Sequence, residues 1–152
     1  MNKMLLAIVA FLLVGGFAVY WNATQTRQQS AGQSMEPPDT EGIPQGAPLA
    51  NVTIPATLSA EAQMGKRGFE ARCAECHGTN AAGQNGVAPP LVHKIYEPSH
   101  HSDMAFVSAV KNGVRSHHWS FGNMPPLEGL TTANVKMIAR YVRELQRANG
   151  IN

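Results

Sequence analysis

The sequence predicts an all-α domain of about three main helices, preceded by an apolar N-terminal helix and a flexible linker. Three observations predict it. Residues 60–72, 102–112 and 132–149 read as helices, the first and last each following a Ser or Thr suited to capping them. No strand-rich pattern lies between them. Ahead of them, an unbroken apolar run gives way to a polar stretch with neither helical nor strand periodicity.

Composition narrows the function classes. The chain has 152 residues, 14% of them charged, and a formal net charge of +2. That charge is too small for binding nucleic acid by phosphate neutralisation. Two cysteines cannot build a disulfide-dense scaffold. The charge is also unevenly spread, with 5 charged residues in 1–60 and 17 in 61–152.

Met4 to Trp21 is uncharged and mostly apolar, preceded by Lys3. A helix of that length spans ~27 Å, close to the ~30 Å of a bilayer core. Tyr20 and Trp21 suit the membrane interface, and Lys3 keeps the N-terminus cytoplasmic. The expectation is a transmembrane anchor over residues 1–21, with the remainder exported to the periplasmic or extracytoplasmic side. A cleaved signal peptide ending near Gly16-Phe17-Ala18 is the alternative. Residues 22–57, rich in Gln, Ser and Thr with Pro37, Pro38, Pro44, Pro48 and Pro55, read as an extended tether to a domain over 58–152.

The first domain helix, Ala60 to Arg72 behind Ser59, delivers Cys73-Ala74-Glu75-Cys76-His77. Both cysteines of the chain lie in this motif. C-x-x-C-H is the signature of c-type haem attachment. Two thiols at that spacing reach both vinyl-derived positions on one haem edge, and the adjacent imidazole ligates the iron. A thioredoxin-type pair would sit at a helix start after a strand, and a zinc site would want four ligands. Export suits the haem reading.

His77 alone leaves one axial position open. Met124, in Gly122-Asn123-Met124-Pro125-Pro126, is the leading candidate because two prolines stiffen the chain beyond it. Thioether ligation opposite histidine raises the potential. Met64, Met104 and Met137 lie on predicted helices at core-like spacing and read as core. The middle helix, from about Ser102, turns Phe106, Val107 and Val110 inward and stops at Gly113. The last, capped by Thr131 or Thr132, buries Val135, Ile138, Val142 and Leu145. Lys136, Arg140, Arg143 and Arg147 fall on its polar side, and Gly150 ends it.

From about Ser59 to Ile151 the chain resembles a class I cytochrome c, of a monohaem, membrane-anchored bacterial type. Gly65 and Phe69 precede Cys73 at four-residue intervals, and Pro89-Pro90-Leu91 resembles the Pro-x-Leu twelve residues after the haem histidine. Met124-Pro125 resembles the axial Met-Pro, and Ile138 and Tyr141 match the final helix, whose aromatic packs across the first helix near Gly65. The resemblance implies a small fold of about three helices wrapped around one covalent haem c. It implies thioethers at Cys73 and Cys76, axial ligands at His77 and Met124, and a Pro89 carbonyl accepting a hydrogen bond from His77.

His100-His101 and His117-His118 depart from that pattern. They read as solvated loop residues, with one of them or Trp119 near a haem propionate. Alternatively His117 or His118 replaces Met124, or the pairs form a copper or other metal site. Nothing in the sequence brings the pairs together, so none is assigned as a ligand, and the sequence assigns no role to His93.

The function expected is a one-electron carrier, not an enzyme, with no organic substrate and no nucleic acid. Its partners would be redox proteins, with the membrane engaged through the N-terminal helix. Lys66, Arg67, Arg72 and the last-helix arginines could form a basic face. The alternatives are a haem subunit of a larger oxidoreductase, a five-coordinate haem acting on peroxide, and a gas sensor that displaces Met124.

Overall fold

In the computed structural model, the described residues are 11–22 and 35–152. They fall in two units, divided at Gln33–Ser34. In the first unit residues 11–22 are helical. No helix among the described residues is long and apolar enough to cross a membrane. The anchor expected over residues 1–21 is therefore not seen, and its first ten residues lie outside the described ones.

The second unit is helical, with no strand among its described residues and two isolated antiparallel bridges, Gln84 with Ala88 and Val114 with Met124. Its α-helices are α1 (Ala60–Arg72), α2 (Ala74–His77), α3 (Asp103–Asn112) and α4 (Thr132–Ala148). Single 3-10 turns occur at Thr79–Ala81 and Lys94–Tyr96.

Each main helix starts where its cap residue stands. The Ser59 hydroxyl accepts from the Ala62 N–H and donates to Glu144 Oε1 at 2.7 Å, tying the start of α1 to α4. Thr131 and Asn134 form a reciprocal capping box at the start of α4. Ser102 precedes α3, although its side chain makes no capping bond, and Gly113 ends it.

The core forms where α1 crosses α4. Ala62, Phe69, Ile138, Tyr141, Val142 and Leu145 are buried together with Val92 and Ile151. The Phe69 and Tyr141 rings meet at 5.7 Å, tilted by 58°. At Gly65 the helices touch backbone to backbone: an added Cβ would stand 1.9 Å from the Met137 carbonyl oxygen. Only glycine fits there.

Three expectations need correction. Arg143 does not face solvent; it is 5% exposed. Its guanidinium donates to Asp103 Oδ1 (2.8 Å), Tyr96 O (2.6 Å), Gln146 Oε1 (2.7 Å) and the His101 carbonyl, and lies over the Phe106 ring. A buried charge is tolerable only with such saturation. Met64 and Met104 are 43% and 54% exposed, so they do not belong to the core.

The third concerns the tether, whose residues 23–34 lie outside the described ones. Residues 43–53 are not free chain but a strap held against the domain. Leu49 and Ala50 N–H groups both donate to Ala82 O, and Gly46 N–H and Ala47 O pair with Asn85. Thr53 and Asn149 exchange two bonds, of 2.8 and 2.9 Å. Val52 packs on the core.

Candidate functional site

Helix α1 ends at Cys73, whose N–H donates to Phe69 O at 2.8 Å, and the chain turns at once into the four-residue α2. This places Cys73, Cys76 and His77 on one turn of backbone. Both thiols are free, Cys76 exposed and Cys73 half-buried. Burial pushes the Cys73 thiol up to about 11, Arg72 opposing and Cys76 adding to the rise.

The loop after α2 locks that turn. Gln84 Nε2 donates to Glu75 O (2.6 Å) and Cys76 O (3.0 Å), and Gly83 N–H donates to His77 O at 2.7 Å. Asn80 and Ala81 both take left-handed backbone, with φ of 55° and 59°. Asparagine adopts this conformation readily, but alanine does so at a cost of about 1 kcal/mol or more. Two features hold them there. The Tyr141 hydroxyl donates to Asn80 Oδ1 at 3.1 Å, and Leu91 and Val92 N–H groups both donate to Ala81 O. Gln84 and Asn80 carried no signal in the sequence, since each acts on a backbone brought near only by the fold.

The same loop brings Pro89 to His77. His77 Nδ1 lies 3.0 Å from the Pro89 carbonyl oxygen. A carbonyl can only accept, so Nδ1 carries the proton and Nε2 keeps its lone pair. Burial lowers the affinity of His77 for a second proton, partly offset by this carbonyl. The imidazole is thus presented neutral, with one defined donor atom.

Met124 stands on a separate loop. It exchanges both backbone bonds with Val114, at 2.9 and 3.0 Å, closing residues 115–123 into a loop. Gly113, at φ +73°, allows this closure: a Cβ there would lie 2.6 Å from the Met124 carbonyl oxygen. Beyond Pro125-Pro126, Leu127 N–H donates to Val110 O at 2.8 Å and secures the segment to α3. The thioether therefore comes from a backbone braced on both sides.

Inside the loop, Trp119 is buried, stacked on Phe121 at 5.4 Å and edge-on to His93 at 5.6 Å. His93 is buried as well, and its Nδ1 accepts from Ile95 N–H. The two histidine pairs, separate in sequence, meet: His100 Nε2 and His118 Nε2 lie 3.2 Å apart.

The donor set fits a haem c. Two adjacent free thiols, an imidazole nitrogen oriented from behind by a carbonyl, and a soft thioether on a braced loop are the ligand types that such a haem takes. The family model for cytochrome c matches residues 62–146, from the first turn of α1 to the last turn of α4. No curated protein and no solved structure matches the chain. With more than half of its length matched, and the haem-attachment motif inside the match, the chain belongs to the cytochrome c family.

Proposed function

We propose that the chain is a one-electron carrier with a single haem c, attached through Cys73 and Cys76 and ligated by His77 and Met124. The observation that carries this is the His77–Pro89 contact of 3.0 Å on the Cys-x-x-Cys-His turn. When bound, the haem supplies an Fe(III)/Fe(II) couple. The chain's own residues do the rest. Pro89 O holds the proton on His77 Nδ1, which keeps Nε2 directed as a ligand and raises its basicity. Gln84 holds the carbonyls of the attachment turn, and the Val114 bridge limits the movement of Met124. Stiff ligands reduce the reorganisation that accompanies each electron transfer. No general base or nucleophile is required.

Met124 is preferred over the histidines as the axial ligand because His118 is engaged with His100, and His117 Nδ1 with Arg115 O at 2.9 Å. The apolar run of residues 4–21 supports an extracytoplasmic haem domain delivered by an anchor or signal, and donors and acceptors that are themselves redox proteins. Service as a subunit of a larger oxidoreductase uses the same site.

The test is the visible spectrum of the oxidised holoprotein. A weak band at the red end, from methionine on Fe(III), is expected, with its loss and a change to high spin in Met124→Ala. Rapid CO or cyanide binding to untreated protein, without that band, would establish the open-site reading instead.

A further inference from the structure

We propose that His100, His101 and His118 form a second metal site, a tris-imidazole site for one late transition-metal dication such as Zn²⁺ or Cu²⁺. It uses none of the haem ligands, so it stands or falls independently of the carrier reading.

One nitrogen from each of the three rings lies within 4.8 Å of the other two. His100 and His118 approach more closely, with Nε2 atoms 3.2 Å apart. Two nitrogens each ~2.0–2.1 Å from a tetrahedral ion are ~3.3 Å apart, so this pair already stands at the separation of a chelate. Closing the third position asks for a further approach of up to about 1.5 Å from rings that are exposed (His100) or half-buried (His101 and His118). His117 flanks the group, its ring 4.5 Å from that of His118, and the fourth position is left to water.

The surroundings resemble those of a ligand set. His101 Nδ1–H donates to Ile95 O at 2.8 Å, which fixes the tautomer and frees Nε2, as the backbone carbonyl behind a metal-bound histidine does. The His101 backbone is held in turn: its N–H donates to Glu97 O, and its carbonyl accepts from Arg143. Of the charges nearby, Arg143 acts on His101 but is paired with Asp103 at 2.8 Å. Glu97 is held by Lys94 and Ser99, and lies close enough to His100 to feel its charge.

Occupation would join two parts of the chain. His100 and His101 follow the Lys94–Tyr96 turn, whereas His118 lies in the loop closed by the Val114–Met124 bridge. A bound ion staples that loop to its neighbour, so its presence reaches the segment that bears Met124.

The experiment titrates Zn²⁺ and Cu²⁺, each alone, into the full-length holoprotein by calorimetry, with electron paramagnetic resonance on the copper samples. One ion per chain is expected, copper the tighter by the general order of divalent affinities, with nitrogen hyperfine structure in the copper signal. His118→Ala and the exposed-site variant His100→Gln should each weaken binding at least about 10-fold, with haem spectra and far-UV circular dichroism unchanged. Zinc should also raise the Tm of the wild-type chain but not of either variant. Absence of saturable binding by the wild-type chain, or equal affinity in wild-type and His100→Gln, overturns the site.

Discussion

Replacing Gly65 by alanine tests the helix crossing on which the domain rests. The new Cβ would sit 1.9 Å from the Met137 carbonyl oxygen and 2.5 Å from its carbon, whereas ordinary contact begins at 3.4 Å. The helices must part by about 1.5 Å, and the obstacle is backbone that no rotamer change can move. A gap of 0.5–1 Å already forfeits a quarter to a half of a contact's dispersion energy, and the Phe69–Tyr141 and Ala62–Ile138 packing lies in the same seam. Overpacking of this kind costs about 3 kcal/mol, and alanine returns about 1 kcal/mol of helix propensity. The net loss is therefore about 2 kcal/mol or more. Gly68→Ala is the internal control. Its Cβ meets only the Ile138 side chain, at 3.1 and 3.3 Å, which can shift, so the propensity gain leaves it near neutral. Urea unfolding of both holoproteins, followed by far-UV circular dichroism, compares the two. Equal midpoints for Gly65→Ala and Gly68→Ala would refute the backbone-contact argument.

Other perturbations probe separate parts of the structure. Gln146 is fully buried, donating to Leu91 O and Tyr96 O and accepting from Arg143; in Gln146→Ala, Arg143 and Tyr96 O keep each other but Leu91 O loses this donor, which should cost about 1–3 kcal/mol in the same unfolding assay. Asn149→Ala removes both bonds to Thr53 and should expose residues 51–55 to limited proteolysis, at a stability cost of only about 1 kcal/mol, while the bonds to Ala82 and Asn85 keep residues 43–50 in place. Burial would raise the Glu144 carboxyl, but the Ser59 donors with Arg140 and Arg147 outweigh it and hold the carboxyl below the ordinary 4.5. Its stabilisation is thus present above about pH 4.5 and lost as pH falls through the folded-state value, so Glu144→Gln should flatten the acid side of the stability profile.

The helices were legible because their ends are written locally. Ser59, Thr131 and Gly113 stand within a residue of the observed boundaries, and capping depends on near neighbours alone. The attachment motif was legible for the same reason, as its chemistry needs five consecutive residues. What stayed hidden depends on distant partners. Arg143 was placed outside because a helical wheel assigns charge to solvent; its burial depends on Asp103 and two carbonyls from other parts of the fold, with Gln146 one turn along its own helix. The strap lacks periodicity because its bonds run to single carbonyls of the loop around Ala82. The histidine pairs are separated by 15 residues, and only the closing of the Met124 loop brings them together. Met64 and Met104 misled because helical spacing identifies a face without saying whether anything covers it.

The Val114–Met124 bridge also bears on how such a chain can diverge. Because the loop is pinned at its neck, additions at exposed Ser120, near its middle, need not displace the methionine. Doubling the length of a flexible loop costs only about 0.6 kcal/mol in closure entropy. That stretch is therefore a tolerant insertion point, where new surface can be acquired while the backbone that carries Met124 is inherited unchanged.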